Sequence, residues 1–346
     1  MHLPAKRLYR AMSLCLCLCL CLCLWLAHAS AATSGAYRVL ATVPGADGSW
    51  DYASIDPVAR RLYLAHNGVS VLDLDSLKWL PTIAPGTRGG GVLPVPALHR
   101  IIAVDGNSNT LKIYDTVAQK LVASVPTGKS PDGMAYDAKT GLAAVMTDRE
   151  QGAVTLVDVA RHARVSTVPV GGDLEFPVSD NKGTLFINGA SRNELVVLDL
   201  RSRKVVRRVA LKGCEEPHGL AYDAPTGLLV SSCENTALVV RARDAVIVAT
   251  LKIDPGADAA MDDAPRRQVL IPCGDTGVLE AIDLSQPSAI HVVQLAKSAV
   301  GARTGAVDVS TGKVYLPTAD LAPVVPPAHW PLPKPGTFRI LVLGPG

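Results

Sequence analysis

The stretch AVDGNSNTLKIYDTVAQKLVASVPTG, residues 103–128, decides the fold. Apolar residues lead into Asp105-Gly106-Asn107, alternation resumes through Leu111-Lys112-Ile113-Tyr114, and after Asp115-Thr116 a third extended segment runs to Pro126. Short apolar or alternating runs broken by Gly, Asn and Asp read as strands joined by tight turns. One such unit cannot bury its own apolar face, so it must stack against others of its kind.

Variants of the unit recur down the chain. Aligned on an apolar-apolar-Asp pattern, they place Asp73, Asp115, Asp158, Asp199 and Asp283 at equivalent positions, with Arg241 in the fifth unit. The steps between them are 42, 43, 41, 42 and 42 residues. Each unit also opens on a strand that ends in a turn acid: Asp56, Asp137, Asp180, Asp223, Asp263 and Asp308, with Pro96 in the second unit. An Asp here accepts backbone N–H groups two residues on and closes a hairpin. A regular period near 42 with strand-type alternation predicts an all-β, seven-bladed β-propeller of four-stranded blades. The seventh blade supplies three strands, the last around residues 338–343. The spare strand YRVLATV at residues 37–43 is predicted to pair with it, closing the ring and removing an exposed edge.

The segment NSNTLKIYDTVAQKLVASVPTG resembles the YVTN propeller repeat, and the chain as a whole is similar to the exported YncE-like seven-bladed proteins. That resemblance implies a periplasmic protein, usually without assigned catalysis. It does not extend to haem-bearing propellers, because no Cys-x-x-Cys-His occurs and haem is not expected.

The first 31 residues read as a cleaved signal peptide, leaving 32–346 as one propeller domain. Lys6, Arg7 and Arg10 precede an apolar run over residues 11–26, and small residues with an Ala-x-Ala type cleavage site follow near Ala29 or Ala31. The run is shorter than the roughly twenty residues of a spanning helix. No stable membrane span is expected after cleavage, and the address is periplasmic or secreted. Cleavage removes three basic residues and leaves 31 basic against 31 acidic. Such balance argues against a nucleic-acid surface. Arg201, Arg203, Lys204, Arg207 and Arg208 crowd one outer turn, where charge commonly protects a sheet edge.

Cys15, Cys17, Cys19, Cys21 and Cys23 leave with the leader, so Cys214, Cys233 and Cys273 remain. Cys214 and Cys233 flank one hairpin symmetrically and are expected to form a disulfide, with Cys273 a buried thiol. Pairing of Cys233 with Cys273, at equivalent positions on adjacent blades, is the alternative.

In a propeller the innermost strands line a central channel. The residue five before each turn acid should therefore repeat near one mouth: Asp51, Asp132, Glu175, His218, Asp258 and Arg303, with Gly91 in the second blade. Ionisable groups gathered at a half-buried ring perturb one another and mark functional sites. Asp51, Asp132, Glu175, His218 and Asp258 are the candidate ligands of a divalent cation, Ca²⁺ or similar. Arg303 would repel an ion and suits a carboxylate or phosphate on a small polar ligand. A water-filled polar channel that binds nothing has the same composition.

The last blade carries about seventeen extra residues in its second loop, ADLAPVVPPAHWPLPKPG at residues 319–336, on the same face as the ring. Its prolines stiffen it, and His329 and Trp330 are candidates for a lid over the mouth. No Gly-x-Ser-x-Gly, P-loop or paired-histidine motif occurs, and no catalytic residue is assigned. The favoured function is a non-catalytic exported binding or scaffold protein that presents the channel mouth to a small ligand, cation or protein partner. A metal-assisted hydrolase of the propeller lactonase type is the alternative. A monomer is expected.

Overall fold

The computed structural model describes residues 37–85, 88–324 and 331–345. The leader expected at 1–31 lies outside the described residues. Seven four-stranded antiparallel sheets follow one another as blades. Blade 1 runs from Trp50–Asp56 through Arg61–His66 and Val69–Asp73 to Trp79–Ile83, and this order of strands A, B, C and D repeats. Blade 7 takes strands A, B and C from Ala306–Asp308, Lys313–Thr318 and Arg339–Pro345. Its outer strand is Tyr37–Pro44, which pairs antiparallel with Arg339–Pro345. The ring is therefore closed by the two ends of the chain, as the unpaired N-terminal strand predicts.

The recurrent acids hold the turns. At A–B turns Asp56 accepts the N–H groups of Val58 and Ala59, Asp180 those of Lys182 and Thr184, and Asp308 that of Ser310. At C–D turns Asp73, Asp115, Asp158, Asp199 and Asp283 do the same. Blade 2, with Pro96 in place of the acid, turns through a short 3-10 segment, Pro96–Leu98.

The core is divided by seam. Among the described residues seven buried apolar clusters occur, one between each pair of neighbouring blades. The cluster joining blade 1 to blade 7 contains Leu62, Leu64 and Leu72 from one and Tyr315, Phe338 and Ile340 from the other. The strands that form these faces are buried on both sides, which is why strand B of blade 3, Leu142–Thr147, reads LAAVMT without polar interruption. Cys214 and Cys233 are joined, with Cα atoms 5.4 Å apart, and tie the entry of blade 5 to the end of its strand B. Cys273 is a buried free thiol.

Candidate functional site

Asp51, Asp132, Glu175, His218, Asp258 and Arg303 all lie within or just before strand A of their blades. Bonds between neighbouring blades hold these starts at one height. The Tyr52 N–H reaches the Gly90 carbonyl, Phe176 N–H the His218 carbonyl, and Ala259 N–H the Arg303 carbonyl. The Thr304 hydroxyl donates to the Asp51 carbonyl at 3.1 Å, crossing the seam between the last blade and the first. Asn188, itself buried, donates its amide to the carbonyls of His218 and Gly219. Blade 2 contributes Gly91 at this position, where an added Cβ would press on the Asp132 carbonyl at 3.0 Å, and a side chain on the preceding Gly90 would collide with the Asp132 carboxylate.

The side chains engage one another around this rim. Arg303 Nε lies 3.3 Å from Asp258 Oδ2, and His218 Nδ1 lies 3.7 Å from Glu175 Oε2. Two groups that the repeat pattern did not flag join them. Arg149, on the B–C loop of blade 3, lies 3.1 Å from Asp132 and 3.6 Å from Asp173. Asp173 stands two residues before Glu175. The available signal was position: Arg149 belongs to a charged tripeptide, Asp148-Arg149-Glu150, in a loop that shares the face of the ring.

Two cavities open at the rim, and Asp51 lines both. The larger, about 620 Å³, runs between Asp51, Asp258 and Arg303 on one side and Leu321, Leu332 and Pro333 on the other. That wall is the proline-rich loop of blade 7, which folds back on itself as Ala322 N–H bonds the Leu332 carbonyl and Lys334 N–H bonds the Asp320 carbonyl. The expected lid residues His329 and Trp330 lie outside the described residues. The smaller cavity, about 320 Å³, is bounded by Asp51, His66, Arg88, Asp132 and Arg149. Beneath the rim, Tyr52 and Phe176 meet across the channel, so the mouth is a basin with a floor.

Like charge and dehydration dominate the electrostatics. Burial, followed by Asp132, Asp258 and Glu175, raises the Asp51 pKa well above the ordinary carboxylate range, against the pull of Arg303. Burial and Glu175 raise Asp132 and Asp173, and burial raises Asp258 although Arg303 and His218 oppose it. The Tyr52 phenol is pushed far up, first by burial and then by Asp258 and Asp51. His218 is raised by its bond to Glu175, which outweighs its burial. Protons are thus retained where several carboxylates share little water. Around the rim and its two cavities six carboxylates (Asp51, Asp132, Asp173, Glu175, Asp258 and Asp275) face three guanidiniums (Arg88, Arg149 and Arg303) and the imidazoles of His66 and His218, so a positively charged guest beside Asp51 would relieve the repulsion among its acidic neighbours. Among the described residues no three His, Cys, Asp or Glu side chains are grouped closely enough to hold one metal ion.

Fold and rim together define a seven-bladed β-propeller with an acidic basin at one channel mouth. Similar architectures occur in Kuenenia stuttgartiensis hydrazine synthase and in a chain of a mitotic checkpoint complex. The first superposes with a TM-score of 0.68 at 12% identity, over 84% of this chain and 94% of that one. The second superposes with a TM-score of 0.70 at 12% identity, over 84% and 91%. At this identity the likeness is one of fold. No protein-family model matches the sequence, and no curated protein matches it either. No helix among the described residues is long and apolar enough to cross a membrane.

Proposed function

We propose that the chain is an exported propeller of the YncE-like kind whose acidic basin binds a small cationic ligand without transforming it. One observation carries the reading: Asp51 lines both cavities and is held above its ordinary pKa by burial and three neighbouring carboxylates. A carboxylate in that state gains most from a positive charge placed beside it. The basin's volume lies within the range of small-molecule sites, and Leu321, Leu332 and Pro333 offer an apolar wall to the body of the ligand. The leader expected at residues 1–31, with the Cys214–Cys233 disulfide, supports an oxidising compartment outside the cytosol.

Thermal unfolding in the presence of spermidine, arginine, Ca²⁺, Zn²⁺ and citrate tests the binding. A cationic probe is expected to raise the melting temperature of the wild type and to leave that of Asp51→Asn unchanged. Stabilisation by citrate alone, or equal stabilisation of both proteins, would overturn it. If Zn²⁺ or Ca²⁺ alone is active, elemental analysis of the purified protein decides whether the occupant is a metal. Export is tested by N-terminal sequencing of the fractionated protein, which should begin after Ala29 or Ala31.

A further inference from the structure

The face opposite the basin carries a groove of about 470 Å³ in the seam between blades 4 and 5. Its floor is aromatic: Phe186 is buried, and its ring lies 5.9 Å from that of Tyr222. Val206 and Arg207, from the outer strand of blade 4, Lys204–Ala210, form one rim. Arg241 and Arg243 form another, where strand C of blade 5, Thr236–Arg241, enters its turn. Val206 is 59% exposed, high for a branched aliphatic residue beside a cavity. Asp180 stands at a further edge.

Arg241 is the one departure from the repeat among the six aligned C–D turns. The acids in the other five accept turn N–H groups. In blade 5 the turn still closes, with Ala245 N–H on the Arg241 carbonyl, while the guanidinium reaches forward to Asp244. The blade 5 turn thus closes on an ion pair of reversed polarity, with the base at the position where the other five turns place the acid. Arg241 lines the groove and its partner Asp244 does not, so the guanidinium is the group presented at the groove's edge. Beside it, the Arg243 side chain is 78% exposed and lies 3.8 Å from Asp244.

We propose that this groove docks a short acidic segment of a partner protein. One aromatic or branched side chain packs against Val206 and the half-buried Tyr222, and flanking carboxylates meet Arg207, Arg241 and Arg243. Strand Lys204–Ala210 is the outermost of its blade, so its free edge can pair with an extended segment. Charge complementarity selects the acidic class. A nucleic-acid strand fits less well, because Asp180 and Asp244 interrupt the basic track that a continuous phosphate backbone would follow.

The test is selection of a random peptide library on the folded protein, followed by anisotropy of the labelled winners. The enriched peptides should carry Asp or Glu on both sides of an aromatic or branched residue. Arg207→Glu and Arg243→Glu, both surface changes, should each weaken binding at least about tenfold, and Asp51→Asn should not alter it. Absence of enrichment would overturn the proposal. So would winners without acidic residues, equal binding by the charge-reversed variants, or displacement of the peptide by a single-stranded oligonucleotide at lower concentration. Because the groove and the basin lie on opposite faces, either reading can fail without the other.

Discussion

Tyr52 of blade 1 and Phe176 of blade 4 meet edge to face across the channel, ring centroids 4.8 Å apart. Each follows a carboxylate of the acidic rim, Asp51 or Glu175, so the strands that carry the charge also carry the floor beneath it. In a ring of seven, blades 1 and 4 are as far apart as two blades can be. Only a pair of large rings can bridge the axis between them. The contact separates the basin from the lower channel, which is lined by Leu93, Met134 and Leu220.

Phe176→Ala should open that floor and cost about 2 kcal/mol, less than for a fully buried ring because Phe176 is half-buried. Tyr52→Phe keeps the ring contact and should cost about 1 kcal/mol or less. Urea unfolding of the two variants checks both values. A Phe176→Ala protein as stable as the wild type would show that the pair does not support the ring.

Stability should fall as pH rises from the ordinary carboxylate range through neutrality. Asp51 is raised in the folded state by burial and like charge, so its contribution is full at low pH and is lost as pH climbs through its folded pKa. His218, raised by its bond to Glu175, acts in the same direction through the neutral range. Asp51→Asn should therefore be more stable than the wild type at pH 8. The difference should shrink toward pH 5. Calorimetry across that range is the measurement, and a constant difference would refute the account.

The join between the first and last blades depends on Arg60, which donates to the fully buried Asp308 at 2.7 Å. Burial alone would raise the pKa of Asp308, but bonds from Ser310, Arg60 and Thr311 outweigh it and bring it to about 2. A depressed carboxylate stabilises above its unfolded pKa and loses that contribution as pH falls toward 2. Asp308→Ala should cost about 3 kcal/mol at pH 7, because it also strands the turn N–H and hydroxyl groups. Its deficit relative to the wild type should narrow below pH 3. Chemical denaturation at the two pH values measures this.

Reduction of Cys214–Cys233, which are separated by 19 positions, should lower stability by about 3 kcal/mol. Exported protein unfolded without reductant should titrate a single thiol, that of Cys273. Retention of the leader would add the thiols of Cys15, Cys17, Cys19, Cys21 and Cys23, so the same titration reports on processing.

Much of the fold was legible because the physics that sets it is local. Turn acids such as Asp56 and Asp115 bind N–H groups two or three residues away, and apolar alternation declares which face each strand must bury. A spacing near 42 then forces identical stacking, and the orphan strand at residues 37–43 has only one unpaired edge to join. The same register places Asp51, Asp132, Glu175, His218, Asp258 and Arg303 at equivalent positions from spacing alone. The pairing of Cys214 with Cys233 followed from their symmetry about one hairpin. What the sequence could not specify were relations across the ring or between loops of different blades. The meeting of Tyr52 with Phe176, the reach of Arg149 to Asp132, the proline loop walling the basin and the groove beside Arg241 all depend on rotamers and on distances closed only when seven seams pack at once. Periodicity orders residues along the chain; the closed ring alone decides which of them touch.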